Sequence, residues 1–295
     1  MTEKEAIEKI LNANKPSDLF IGNEWKKEFF KLSQLVHPDV CTDKRANDAM
    51  AKLSGFKDLM EKGYELVDES GMFRVFDNKI IYLVNDKNRS LLTKSYNNYM
   101  KLMSLKTKSS DNFKLYLPKS MTLTDDELII NFSYRAVPLT NKKLEQVHVN
   151  WIFSRLFEVS LRFRDNNYSH VGLNPTNVFV VPENHGIIIT SFYHMTLLNN
   201  KVDTISAKYR TWYPSNLFLK KIATPEIDLE LSKKIGIYLL GDRSTAGTSL
   251  KLNKDVNQDI LTFLIASHDN TLENYTKYRD LLKKNFKSEF INLNI

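Results

Sequence analysis

Apolar residues near the start of the chain recur at the three- and four-residue spacing of an α-helix. The pattern predicts three helices, over residues 2–13, 24–36 and 44–62. The predicted apolar faces comprise Ala6, Ile7, Ile10 and Leu11, then Trp25, Phe29, Leu32 and Val36, then Ala46, Ala49, Met50, Leu53, Phe56, Leu59 and Met60. Three short amphipathic helices indicate a small all-α unit.

Helix-breaking residues separate these three segments. Pro16 and Gly22 predict a loop between the first two helices, and Asn23 is suited to cap the second. Pro38 ends the second helix, because a residue that precedes proline disfavours helical geometry. Gly63 is expected to close the third helix as its C-cap.

After Gly63 the apolar pattern changes to that of a mixed structure. Residues 72–85 predict two strands around an Asp-Asn turn, 88–105 a helix, and KLYLPKSMTL and ELIINFSY further strands. A long helix is expected at 144–164, then the strands NVFVVP and GIIITSF, and mainly helices from about Pro214. This order predicts two lobes. We therefore expect an α+β multidomain chain with a boundary between Gly63 and Gly71.

Composition and charge bound the possible functions. Hydrophobic residues make up 42% of the 295 and aromatic residues 11%, which is enough for a buried core. The formal charge is +7 and the pI about 9.1, but the lysines are interleaved with acidic residues and form no dense block. A solvated basic surface is therefore favoured over nucleic-acid binding.

Cysteine content and hydropathy indicate the compartment. The single Cys41 allows neither an intrachain disulfide nor a cysteine zinc cluster, and it fits a reducing cytosol. The charged N-terminus predicts no signal peptide, and no apolar run approaches the ~20 residues that span a bilayer. We expect a cytoplasmic protein without membrane contact. Its composition, rich in Lys, Ile and Asn, is compatible with a viral origin and thus with a host cytoplasm.

The tripeptide His37-Pro38-Asp39 follows the second helix directly. Such a tripeptide alone indicates only a turn. Here it connects two amphipathic helices, and Lys26, Lys27 and Lys31 lie away from the apolar stripe of the first of these. A rigid hairpin would thus present a polar loop and a basic helix face, which could attract an acidic partner surface.

These residues resemble the J-domain of the DnaJ family. The resemblance covers about residues 2–67, and its matching segments are IEKIL, WKKEFFKLSQLVHPDV and ANDAMAKLSGFKDLM. It implies docking on a DnaK-type heat-shock chaperone and stimulation of its ATPase. His37, Pro38 and Asp39 would then be the signalling loop, and Lys26, Lys27 and Lys31 the docking face.

The chain departs from full-length DnaJ in several features. The loop NKPSDLFIGN is longer than usual. The glycine-phenylalanine segment, the zinc-binding cysteine repeats and the substrate-binding sandwich are not found. The departures argue against general client holding.

A second resemblance, over about residues 70–285, is to protein kinases. YSHVGLNPTNV at 168–178 resembles the catalytic loop H-R-D-L-x-x-x-N. His170 matches its His, Gly172 its Asp and Asn177 its Asn. Ser191-Phe192-Tyr193 stands at the position of Asp-Phe-Gly, and Asp228 resembles the Asp that opens the buried helix of the larger lobe. The expected organisation is a J-domain at 1–67 and a two-lobed kinase-like domain at 68–295.

The catalytic chemistry of a kinase is missing from these positions. Gly172 cannot accept a proton from a substrate hydroxyl, and Ser191 is a poor replacement for a magnesium-binding carboxylate. No G-x-G-x-x-G loop occurs, and Asn177 is the one remaining candidate metal ligand. We expect a pseudokinase with no catalytic residue, no metal and no cofactor, in which His170 braces the loop. Tyr209, Arg210, Trp212 and Tyr213, in the region of an activation segment, could pack or bind a partner.

The favoured hypothesis is a co-chaperone in which the J-domain activates a DnaK-type chaperone and the kinase-like domain recognises a client or partner. Two alternatives stay open. The first is an atypical phosphotransferase that uses non-standard residues. The second is an interaction protein that binds a chaperone without productive stimulation.

Overall fold

The computed structural model describes residues 1–14, 16–20, 25–106, 110–287 and 289–295. Contacts between Cα atoms divide the chain into two compact units. The first comprises Met1–Leu66 and Arg74–Asp77, and the second comprises Val67–Phe73 and Asn78–Ile295. Within the described residues, no helix is both long enough and apolar enough to cross a membrane.

The first unit is built on three helices: α1 (Glu3–Asn12), α2 (Trp25–Val36) and α3 (Ala46–Lys62). Thr2 caps α1 in a capping box: its hydroxyl accepts from the Glu5 amide, and the Glu5 carboxylate accepts from the Thr2 amide. The predicted N-cap Asn23 and breaker Gly22 lie outside the described residues. The three predicted helices are confirmed to within two residues in the described range.

The buried cores of these helices agree closely with the predicted faces. Residues that form the core cluster include Ala6, Ile7, Ile10, Leu32, Val36, Ala46, Ala49, Leu53 and Phe56. Trp25, Phe29, Met50 and Met60 pack against the cluster while partly exposed. The prediction for Leu59 was wrong, since it is 41% exposed. It lies about 120° around the helix from Leu53, which takes it off the buried face.

Gly63 ends α3, as predicted, and its amide donates to the carbonyl of Leu59. Its φ of +65° is a conformation that favours glycine. A Cβ atom at this position would also lie 2.6 Å from the Val75 carbonyl oxygen. Glycine is therefore required here for both backbone conformation and space.

The first five strands after Gly63 form one sheet. Its members are β1 (Tyr64–Asp68), β2 (Gly71–Val75), β3 (Lys79–Leu83), β4 (Ser120–Leu123) and β5 (Glu127–Asn131), in the order β1-β2-β3-β5-β4. The division between the two units passes through β1 and β2. In the second unit, β3 pairs with β5 from Lys79 opposite Asn131 to Leu83 opposite Glu127.

Between β3 and β4 the described residues form two helices, α4 (Arg89–Met103) and α5 (Ser110–Lys114). The first confirms the helix predicted at 88–105. The segment KLYLPKSMTL is strand only in its second half, because α5 ends at Lys114 and Tyr116 and Leu117 lie in turns bonded back to it.

The part of the second unit that follows β5, from Val137 onward, is mainly helical and is called the larger lobe. Its small strands are β6 (Val137–Pro138), β7 (Tyr168–Ser169), β8 (Val178–Val181), β9 (Gly186–Ile189) and β10 (Thr196–Leu197). Its helices are α6 (Gln146–Asp165), α7 (Ser215–Lys220), α8 (Pro225–Leu239), α9 (Gln258–Ile265) and α10 (Leu272–Asn285). Helices α6 and α8 pack together, and most of their residues are buried. The predicted hairpin around ENHG is confirmed as β8 and β9.

Candidate partner-binding loop and degenerate kinase centre

The His37-Pro38-Asp39 tripeptide forms an ordered, exposed turn at the end of α2. The carbonyl of His37 accepts hydrogen bonds from the amides of Val40 and Cys41, each at 2.9 Å. The Asp39 amide lies 3.3 Å from Nδ1 of His37. Buried Val36 and Cys41 anchor the turn on both sides, while the Asp39 side chain is 87% exposed. The turn thus holds an available carboxylate on a fixed backbone.

The lysines of α2 share the exposed side of the helix. Lys26, Lys27 and Lys31 are all exposed, and Phe30 among them is 67% exposed. Lys26 Nζ lies 5.7 Å from the Trp25 ring centroid, so the stem of that lysine follows the helix surface. The surface formed by these side chains combines positive charge with one exposed aromatic ring.

In the second unit, Asp228 organises the loop that precedes β8. It lies in the first turn of α8 and is 1% exposed. Its two carboxylate oxygens accept from the amides of His170 and Val171, each at 2.8 Å. Burial raises the pKa of Asp228 to about 7, and the two backbone donors oppose that rise. Val171 has a φ of +59°, so these bonds hold a strained backbone.

The other kinase-like positions converge on the same loop. His170 Nε2 lies 2.7 Å from the carbonyl oxygen of Ser191, and its Nδ1 accepts from the Gly172 amide at 3.2 Å. The Asn177 amide group donates to the Gly172 carbonyl at 2.8 Å and to the Ser191 hydroxyl at 3.0 Å. Burial lowers the pKa of His170 to about 3, so the ring is neutral near pH 7.

His194 fills the space beside Gly172. A Cβ atom at Gly172 would lie 2.5 Å from Cδ2 of His194, closer than real side chains approach. His194 is itself 6% exposed and its Nδ1 lies 2.9 Å from the Thr204 hydroxyl. The position that matches the catalytic Asp of a kinase therefore has neither a carboxylate nor room for one.

The Ser191-Phe192-Tyr193 segment is tied to α4. The Phe192 amide donates to the Ser95 hydroxyl at 2.9 Å, and its carbonyl accepts from the Asn98 amide group at 2.9 Å. These two contacts are made by neutral side chains, and the sequence of α4 contains no Asp or Glu.

A carboxylate from the turn between β1 and β2 closes on this segment. Glu69 accepts from the Tyr193 hydroxyl at 2.8 Å and also from the Ser206 hydroxyl. Tyr193 and Ser206 are each 1% exposed. In protein kinases the matching turn is the glycine-rich loop that covers nucleotide phosphates. We call the contacts of Glu69 with Tyr193 and Ser206 the Glu69 clasp.

The segment after the clasp is mostly buried. Tyr209, Trp212 and Tyr213 are 7%, 6% and 6% exposed, and the Tyr213 hydroxyl donates to the Val171 carbonyl at 2.8 Å. Of the four residues considered for packing or partner contact, only Arg210 is exposed. The three aromatic residues therefore pack, which is the first of the two alternatives left open by the sequence.

Sequence patterns brought out some of these residues and missed others. The spacing of His170, Gly172 and Asn177 was visible in one short motif, and the structure brings these residues together with Ser191 and Asp228. Glu69, His194 and Ser206 were missed, because their contacts cross turns or more than 100 residues of chain. One signal was present: an acidic residue stands in a turn where a phosphate-binding loop would be expected.

The two-lobed arrangement and this centre define the fold of the second unit as kinase-like. Among solved structures, the chain is similar to that of vaccinia related kinase 3, with 13% identity and a TM-score of 0.51, over 78% of this chain and 95% of that one. It also matches the kinase domain of a Toxoplasma gondii specific rhoptry antigen, with 12% identity and a TM-score of 0.46, over 75% and 78%. At this identity the likeness shows the fold alone. No family model and no curated protein matches the sequence.

Proposed function

We propose that this protein is a co-chaperone of the J-domain type with an inactive kinase-like domain. The helical unit would dock on a DnaK-type chaperone through His37, Pro38, Asp39 and the lysines Lys26, Lys27 and Lys31. Docking would stimulate the ATPase of the chaperone. The kinase-like unit would recognise a client or partner protein.

The observation that carries this proposal is the ordered His37-Pro38-Asp39 turn beside an exposed lysine surface. Exposed lysines raise the rate of encounter with an acidic surface. The Asp39 carboxylate, which is 87% exposed and lies 3.6 Å from His37 Nδ1, can accept hydrogen bonds or pair with a cation on the partner. The turn is held by hydrogen bonds from the Val40 and Cys41 amides to the His37 carbonyl. The helices beneath have their own buried core, which fixes the position of the loop.

The test is an ATPase assay with a purified DnaK-type chaperone. The wild-type chain is expected to raise the hydrolysis rate, and His37→Gln to abolish the increase. Val40→Ala is the matched control, because Val40 is an exposed neighbour outside the tripeptide and should leave stimulation unchanged. Replacing Lys26, Lys27 and Lys31 by Glu should raise the concentration needed for half-maximal stimulation, more so at low salt.

The outcomes separate the alternatives. If the wild-type chain stimulates no more than His37→Gln, the co-chaperone proposal fails. Binding to the chaperone without stimulation would support a non-productive interaction protein instead.

We also infer that the kinase-like unit does not transfer phosphate. Magnesium and ATP, which the kinase fold implies, do not fit the residues present. Gly172 and Ser191 replace two carboxylates, His194 fills the adjoining space, and the clasp places the Glu69 carboxylate at the phosphate loop. A carboxylate at this turn would repel phosphate groups placed next to it.

Nucleotide binding can be measured by thermal shift. We expect no change in melting temperature with ATP and magnesium at millimolar concentration, because a ligand stabilises only the state that binds it. A concentration-dependent rise in melting temperature, together with phosphate transfer to a protein substrate, would contradict this inference and support an atypical phosphotransferase.

A further inference from the structure

A groove runs between α6 and α10, in a part of the larger lobe that none of the kinase-like positions uses. Its volume is about 220 Å³. The apolar part of its wall includes Val147 and Trp151 from α6 and Leu282 and Phe286 from α10 or just after it. All four are partly exposed, so the groove offers apolar surface to a partner.

Asn150 lies within this groove and has unmet hydrogen-bonding capacity. The residue is 5% exposed, and neither its carboxamide nitrogen nor its carboxamide oxygen has a partner among the described residues. Buried polar groups are almost always hydrogen-bonded, and an orphaned pair costs stability. A carboxamide matches one donor and one acceptor side by side, which is what the main chain of an extended peptide presents.

The groove is also strongly basic. Arg155, Arg279, Lys283 and Lys287 line it, and none of the described lining residues is acidic. Arg155 pairs with Glu158 at 3.1 Å and Lys283 with Asp280 at 3.4 Å, both from outside the lining. The Lys283–Asp280 pair is exposed on both sides and is therefore weak, whereas the Arg155–Glu158 pair is partly buried. Arg279 donates to the neutral Tyr275 hydroxyl at 3.2 Å. The charge of the groove therefore favours an anionic occupant.

We propose that the α6–α10 groove binds an extended, acidic peptide segment of a partner protein. From Val147 to Arg155 the rise along α6 is about 12 Å. An extended chain at about 3.3 Å per residue would place roughly four residues over that length. The Asn150 carboxamide would bond the peptide main chain, the apolar wall would hold a non-polar side chain, and the cations would pair with Asp or Glu.

The inference deepens the proposed function and rests on it for one step, that the segment belongs to the client. Peptide binding by the groove does not itself require the chaperone. Binding and ATPase stimulation can therefore be measured separately on the same full-length protein.

The experiment begins with a random heptapeptide display library selected against the full chain. Peptides rich in Asp and Glu are expected to be enriched, and the most enriched one is then labelled and its affinity measured by fluorescence anisotropy. Asn150→Leu keeps the branched shape and the number of side-chain heavy atoms but removes both hydrogen-bonding groups. It should weaken that affinity roughly tenfold while leaving the melting temperature unchanged or higher. Arg279→Glu with Lys283→Glu should weaken it at least as much.

The matched control is Lys251→Glu with Lys254→Glu, which makes the same charge change at exposed residues outside the groove and should leave the affinity within about twofold. The inference would be overturned if the selected peptides were not enriched in Asp and Glu, or if Asn150→Leu bound the peptide with wild-type affinity. It would also be overturned if AMP displaced the labelled peptide and the unlabelled peptide did not. If the wild-type chain bound the peptide but did not stimulate the ATPase of the chaperone, only the co-chaperone proposal would be contradicted.

Discussion

At the scale of single residues, the side chains of the kinase-like centre fit closely against one another. Gly172 leaves out a side chain, and His194 occupies the space that this opens. Asn177, which could have faced a metal, donates instead to the Gly172 carbonyl and the Ser191 hydroxyl. A larger side chain at Gly172 would therefore clash with His194. Even an acidic side chain there would have no second carboxylate at Ser191 to pair with.

Gly172→Ala tests this packing directly. The added methyl group would meet His194 at 2.5 Å, so we expect a loss of about 1–3 kcal/mol in the free energy of unfolding, measured by urea denaturation. His194→Ala in the same chain should recover part of that loss, because it removes the atom in the way. Gly55→Ala is the control, since no atom lies within 4 Å of the added group and helix propensity improves. Equal stability of Gly172→Ala and wild type would show that the space is not filled.

Residue-scale features were predictable where they depended on short sequence separation. His170, Gly172 and Asn177 stand within eight residues, so one motif brought them out. Asp228 was predicted as a site residue from its position at the start of an apolar helix. Glu69 could not be assigned a role from sequence, because Tyr193 lies 124 residues away and Ser206 137. The orphaned carboxamide of Asn150 also depends on which helix packs opposite it.

At the scale of elements, the amphipathic helices were predicted well and the irregular segments poorly. In α1, α2 and α3 the buried residues lie on the predicted apolar faces, with Leu59 as the exception. Helix α6 buries most of its surface. Helices α5 and α7 were not predicted as separate elements. They span only five and six residues, too few for a periodic signal.

The Glu69 clasp joins two elements, the β1–β2 turn and the segment after β9. Glu69→Ala removes the acceptor of two buried hydroxyl groups, so we expect a loss of about 1–3 kcal/mol in the free energy of unfolding. Burial raises the pKa of the Tyr193 hydroxyl well above its usual value, which keeps it a donor at neutral pH. Hydrogen exchange at residues 191–206 should accelerate.

A double-mutant cycle with Tyr193→Phe gives the strength of that contact. The two single losses should sum to more than the loss in the double variant, with a coupling of about 0.5–3 kcal/mol. Additive losses, with unchanged hydrogen exchange, would mean that Glu69 does not hold the segment.

At the scale of the whole molecule, acid sensitivity follows from several histidines buried in neutral form. Burial lowers the pKa of His170 to about 3 and those of His185 and His194 to about 4, from 6.5. Burial of Asp228 acts in the opposite sense, since its pKa rises to about 7 from 3.8. Burial also raises the pKa of Asp68 and lowers those of His148 and His268. The histidines that gain protons on unfolding therefore outnumber the two carboxyl groups that lose them.

The free energy of unfolding should therefore fall as the pH is lowered from 7 to 5. Between pH 4 and 6.5 the unfolded chain protonates the three histidines while the folded chain does not, and stability rises with pH wherever the unfolded state binds more protons. Urea denaturation at pH 7, 6 and 5 measures the slope. His185→Asn should flatten it, since Asn tolerates the φ of +53° at this turn and does not titrate. Asn184→Ala in the same turn removes a bond to the Gly186 amide and should lower stability at every pH without changing the slope. A stability that stays constant or increases on acidification would show that these rings already carry their protons in the folded protein.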